Sequence, residues 1–191
     1  NRERYSKTHC CKRCERGEGH DTGYWCVGVP RANFEEVHLP GASSPAHYLQ
    51  HVPQAAQPLP ALLLLHGAVT YIYPETLWTD ISSLCSRNAF ARDNFIIIAP
   101  FGSLGEPVAV KSEYREKANR YGVVEPYVDA FNTTLVWTLF LEACRRLGPQ
   151  RVDFSRLCIT GYSMGGEAVW DLAMRYGSQI AAAVPFAGKL Q

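Results

Sequence analysis

The sequence predicts an α/β fold in which a mainly parallel sheet carries helices on both faces. Three observations lead there. Strand-like and helix-like segments alternate along most of the chain, the order that parallel strands with helical crossovers require. Ala61–Leu65 and Phe95–Ala99 are short, uninterrupted apolar runs, which suit strands buried on both faces. Leu157-Cys158-Ile159-Thr160 runs through Gly161-Tyr162-Ser163-Met164-Gly165-Gly166 into a segment with helical apolar spacing, a strand–turn–helix unit.

Taken in order, Phe34–Leu39 and His47–Val52 read as short strands joined by the turn-rich segment 40–45, an antiparallel hairpin. Pro53–Pro60 holds three prolines and reads as a connector. The Ala61–Leu65 strand ends in His66-Gly67-Ala68, Ile81–Arg92 has helical spacing, and Pro100–Tyr127 is a long polar stretch after the fourth strand. Tyr127–Leu147 predicts a helix with Val136, Leu139, Phe140, Ala143 and Leu147 on one face, ended by Gly148-Pro149. Beyond the turn at 161–166, Ala168, Val169, Leu172, Ala173 and Tyr176 recur at three- and four-residue spacing up to Gly177, an expected glycine C-cap. Ile180–Phe186 is one more strand, apolar and uncharged, and as a sheet edge it is an aggregation liability that Pro185 blunts only in part.

With 191 residues, 47% of them hydrophobic, the chain can bury a sizeable core, and nothing suggests two similar domains. A net charge of +1, with no basic stripe interleaved with aromatics, argues against a nucleic-acid partner. The apolar runs are far too short to span a bilayer. The chain begins with Asn1 rather than Met, which leaves the compartment open, as the sequence also leaves the oligomeric state.

Seven cysteines fall into two groups. Cys85, Cys144 and Cys158 lie in predicted helices or a strand, where an inert buried thiol is expected. Residues 1–33 form a Cys-rich leader containing Cys10, Cys11, Cys14 and Cys26, with His9 and His20 among them. Three readings stand side by side: a zinc site of Cys11, Cys14, His20 and Cys26, two disulfides in a secreted protein, or a disordered polar leader with free thiols. Cys11-x-x-Cys14 has zinc spacing, but no matching second pair follows.

The turn at 161–166 carries the chemistry. G-x-S-x-G presents a serine on a sharp, strained bend, and small residues two before and two after let strand and helix pass closely. Gly161 and Gly165 occupy those positions around Ser163, and Gly166 relieves crowding further. Chance alone produces the bare pattern in about one such chain in fifteen, so the strand before it and the helix after it carry the weight.

Residues from about 34 to 188 resemble the esterase and predicted-peptidase branch of the α/β-hydrolase superfamily, near polyhydroxybutyrate depolymerases, feruloyl esterases and phospholipase/carboxylesterase-type enzymes. Leu62–Ala68, Val152–Gly166, Trp170–Ala173 and Ala181–Gly188 carry the likeness. The resemblance implies a partial α/β-hydrolase domain over residues 34–191, with Ser163 as nucleophile and oxyanion-binding N–H groups at Met164 and Ala68. It further implies hydrolysis of a small-molecule ester or related acyl bond without a cofactor. His66 is expected to brace its loop, because the triad histidine follows the serine in this family.

The sequence departs from the family after Ser163. Residues 164–191 contain no histidine, all six histidines lie upstream, and the only later acids, Glu167 and Asp171, read as solvated helix positions. The expectation is a hydrolase lacking its last strands and the rest of its triad. Two functions follow: a serine carboxylesterase, with peptidase activity as a close variant, or a hydrolase-fold binding protein without the acid and histidine. Tyr71, Tyr73 and Trp78, and Tyr114, Tyr121 and Tyr127 in the 100–127 stretch, either line the substrate site or pack loops onto the core.

Overall fold

The computed structural model describes residues 35–38, 47–67, 88–100 and 131–189. Six strands form one sheet: β1 (Glu35–His38), β2 (His47–His51), β3 (Leu59–Leu65), β4 (Ile96–Pro100), β5 (Val152–Tyr162) and β6 (Ala182–Phe186), in spatial order β1-β2-β4-β3-β5-β6. The β1–β2 and β2–β4 pairs are antiparallel, and β3–β4, β3–β5 and β5–β6 are parallel. The expected N-terminal hairpin and mainly parallel sheet are both present.

Two strands exceed their expected lengths. β3 starts at Leu59 and takes in Pro60, and β5 starts at Val152. The sequence hid this because the register shifts between Leu59 and Ala61, whose partners are Val152 and Leu157. Asp153–Arg156 therefore bulge out, and the Asp153 carboxylate accepts from the Ser155 amide and hydroxyl and from Arg156 Nε. Those hydrogen bonds hold its pKa down at about 2. Arg151 and Arg156 reach back to the carbonyls of Pro53 and Pro58, fastening the proline-rich connector to β5.

Three helices are described: α1 (Ala89–Asn94), α2 (Thr133–Leu147) and α3 (Met164–Tyr176). α1 takes in the last part of the helix expected over 81–92 and continues to Asn94; residues 81–87 lie outside the described residues. α2 begins at Thr133 rather than Tyr127, because the Asn132 side chain accepts the Leu135 N–H and caps the first turn. Its expected apolar face is present: Val136, Leu139, Phe140 and Ala143 are buried, with Leu147 packed at the margin. Gly177 is not the expected left-handed cap. It has right-handed helical dihedrals and continues into a 3₁₀ turn, Gly177–Gln179.

α2 and α3 cover one sheet face, where Ala61, Leu63, Leu65, Ile96, Ile98, Leu157 and Ile159 meet Val136, Phe140, Val169 and Leu172. Trp137 stacks on Tyr176 across the two helices, ring centroids 5.2 Å apart. Asp171 corrects the sequence reading: it is half-buried, takes a hydrogen bond from the Thr133 hydroxyl and pairs with Arg175 Nε at 2.8 Å. It ties the start of α2 to the middle of α3. Asp171→Ala is expected to cost about 1–2 kcal/mol, read as a lower urea midpoint at unchanged slope.

The opposite sheet face is buried at β2 and β4, where Leu49, Ile97 and Ala99 are fully covered, and opens toward β5 and β6. β6 is the edge strand of the described sheet, with Val184 and Phe186 exposed. An apolar, uncharged edge is a template for pairing between chains. Light scattering is expected to show concentration-dependent self-association of the 191-residue chain, suppressed by Val184→Lys; a wild type that stays monodisperse at rising concentration would contradict this.

Candidate active site

The carboxyl ends of β3, β5 and β6 and the start of α3 converge at Ser163. Ser163 follows β5 directly and stands immediately before α3, with φ 53° and ψ −115°. An L-residue in that region is strained by about 1–3 kcal/mol, and the strain persists only where the surroundings over-determine it. The surroundings here are backbone packed on backbone. A Cβ on Gly161 would lie 2.5 Å from the Gly165 carbonyl and 2.9 Å from Leu65 Cβ. A Cβ on Gly165 would lie 2.7 Å from the His66 oxygen and closer still to that of Leu65. The glycine spacing in the sequence is thus a crossing of β3, β5 and α3 at distances no side chain permits.

Ser163 itself is half-buried, and Met164 is buried as the first residue of α3. The Ser163 N–H donates to the Phe186 carbonyl at 2.8 Å, and its carbonyl accepts the Glu167 N–H at 3.0 Å, closing the first helical turn. Intrahelical bonding leaves the earliest N–H groups of a helix without partners, Met164 among them by position.

His66 and Gly67 end β3 beside this turn. His66 is buried, its ring 4.9 Å from that of Phe131, and its Nδ1–H donates to the Gly67 carbonyl at 2.8 Å. Burial holds the imidazole neutral, with a pKa of about 4. The expected brace is therefore visible as a bond from His66 to its own corner. Tyr162 lies over that corner: a Cβ on Gly67 would meet its ring at 3.2 Å. Ala68, the second expected oxyanion donor, lies outside the described residues, as do Tyr71, Tyr73, Trp78, Tyr114, Tyr121 and Tyr127.

The segment 181–188 carries part of the family resemblance, but the sequence assigned its corner after β6 no role. Gly166 and Gly188 face each other without side chains: a Cβ on Gly166 would lie 2.6 Å from the Phe186 oxygen and 2.8 Å from the Gly188 nitrogen. Ala187 between them has φ 53°. The signal available was a second glycine close after a strand, Phe186-Ala187-Gly188, which marks a close backbone approach.

No group of three or more metal-binding side chains occurs among the described residues. Cys11, Cys14, His20 and Cys26 lie outside them, as does Cys85. Cys144 and Cys158 are free thiols; burial pushes Cys144 up to about 12 and raises Cys158 as well. Both are poor nucleophiles at neutral pH. No helix among the described residues is long and apolar enough to cross a membrane.

No protein-family model matches the chain, and no curated protein does. Solved structures do. The CE1 ferulic acid esterase of the anaerobic fungus Anaeromyces mucronatus superposes with a TM-score of 0.56 at 15% identity, over 85% of this chain and 60% of that one. A chain described as a dienelactone hydrolase of Klebsiella pneumoniae gives 0.54 at 20% identity, over 83% and 60%. The thermophilic carboxylesterase EstE1, cloned from a metagenomic library, gives 0.51 at 21% identity, over 80% and 45%. This chain therefore spans 45–60% of the length of these three. Likeness at such identities establishes the fold, and with the strand order above the chain has the α/β-hydrolase fold.

Proposed function

We propose that, on this α/β-hydrolase fold, Ser163 is the nucleophile of a serine hydrolase that cleaves a carboxylic ester or related acyl bond through an acyl-enzyme. The observation that carries the reading is the dihedral strain at Ser163, held between β5 and α3 by two glycines that admit no Cβ. A turn serving only to join strand and helix has no need of a strained serine. In the proposed reaction Ser163 Oγ attacks the acyl carbon and gives its proton to a base. The developing oxyanion takes hydrogen bonds from the N–H groups of Met164 and Ala68. The alcohol then leaves with a proton, and water releases the acid from the serine. The presence of a carboxylesterase and a ferulic acid esterase among the structural neighbours favours a small-molecule ester.

The base is expected from sequence outside these 191 residues. Residues 164–191 hold no histidine, and burial leaves the His66 imidazole a weak base, with a pKa of about 4. By themselves the 191 residues are expected to show only the residual 10³–10⁴-fold acceleration over water, roughly, that remains in triad deletions. The protein encoded in full should be labelled by a fluorophosphonate at Ser163, and Ser163→Ala should abolish both labelling and p-nitrophenyl ester turnover. Absence of labelling in the full protein would favour the second reading, a non-catalytic binding protein.

A further inference from the structure

We propose that the corner Phe186-Ala187-Gly188, at the end of β6, is the brace that holds Ser163 in its attacking conformation; the catalytic half of this proposal rests on the serine-hydrolase reading above. Gly161 and Gly165 let strand and helix cross, but they do not fix the serine's own peptide group. The Phe186 carbonyl does, by accepting the Ser163 N–H at 2.8 Å. With that peptide plane held by the bond, relaxing Ser163 to a negative φ would require the start of α3 to move or the bond to break.

The accepting corner is itself held out of the ordinary. Ser163 and Ala187, both at φ 53°, are the non-glycine residues with positive φ among the described residues, and they flank the two ends of this one hydrogen bond. Non-glycine residues at positive φ are uncommon and mark positions that their surroundings over-determine. What determines Ala187 is its neighbour. A Cβ on Gly188 would run into the Gly166 carbonyl carbon and the Glu167 nitrogen, so the corner rests directly on the first turn of α3. The contact runs from Gly188 to α3, and the hydrogen bond runs back from Phe186 to Ser163. Together they close a loop of backbone contacts around the serine. Phe186, Ala187 and Gly188 act through Ser163 and are positioning residues.

The test measures two quantities in the protein encoded in full: amide hydrogen exchange at Ser163 and the rate of fluorophosphonate labelling. Gly188→Ala forces the corner off α3, and Ala187→Val places a β-branched residue where φ is positive. Each is expected to lower Ser163 amide protection and to slow labelling by about tenfold or more, with KM for a p-nitrophenyl ester changed less than about twofold. Ala187→Gly accepts the positive φ and should keep both at the wild-type level. If Gly188→Ala does not fold, the Ala187 pair decides. Wild-type amide protection in the Val variant would overturn the brace, and lost protection with unchanged labelling would overturn its positioning role. A wild type that is not labelled would sink the hydrolase reading instead, while the exchange data still decided whether the corner braces Ser163.

Discussion

Gly165→Ala is expected to destabilise the protein by about 4 kcal/mol or more, a large part of the stability of an ordinary domain. The added methyl would lie 2.7 Å from the His66 oxygen and nearer still to that of Leu65. Both are main-chain atoms at the end of the central strand β3, so no side chain can turn aside to make room. Relief requires α3 to move away from the sheet, which would unpack Ala168, Val169 and Leu172 from the core. Gly161→Ala meets the same crossing from the strand side and should behave alike. Gly177→Ala is the control: open space surrounds that position and its dihedrals are already helical, so a gain of about 0.5–1 kcal/mol is expected. Urea unfolding followed by circular dichroism separates the three. A wild-type midpoint for Gly165→Ala would mean that the close crossing does not exist in solution.

Acidification from pH 7 to pH 4 is expected to remove about 3 kcal/mol of stability through His66. The sign follows from its burial. An unfolded imidazole takes up a proton near pH 6.5, whereas the folded one, desolvated beneath the β3 corner, does so only at about 4. Between those values the unfolded state binds more protons. The contribution is complete above pH 6.5, falls as pH drops through that window, and is gone below about 4. Other groups titrate over the same range, so the useful quantity is the difference between wild type and His66→Gln, measured as unfolding free energy from pH 4 to 8. A difference that stays constant to within about 1 kcal/mol would place the imidazole in solvent, contrary to its burial.

The residues that were legible in the sequence are those whose cause is local. Strands β3 and β4 showed as apolar runs because a strand inside a parallel sheet is buried on both faces, and the face of α2 showed in its apolar spacing. Gly161 and Gly165 showed at fixed offsets from Ser163. What escaped has its cause elsewhere in the chain. The early start of β5 depends on a four-residue bulge opposite Pro60. Asp171 sits on what reads as a solvated face until Thr133, 38 positions away in sequence, is brought against it.

The sequence by itself determined that an α/β sheet carries a glycine-flanked serine between a strand and a helix, because short-range sterics write that turn into six consecutive residues. It also determined that no histidine follows that serine within residues 164–191. Only the tertiary structure decided that His66 is buried and neutral and that the corner after β6 supplies the carbonyl for the Ser163 N–H. The physical reason is distance along the chain. Desolvation and backbone-to-backbone contact depend on which segments the sheet order sets side by side, and β3, β5 and β6 are neighbours in the sheet while lying far apart in sequence.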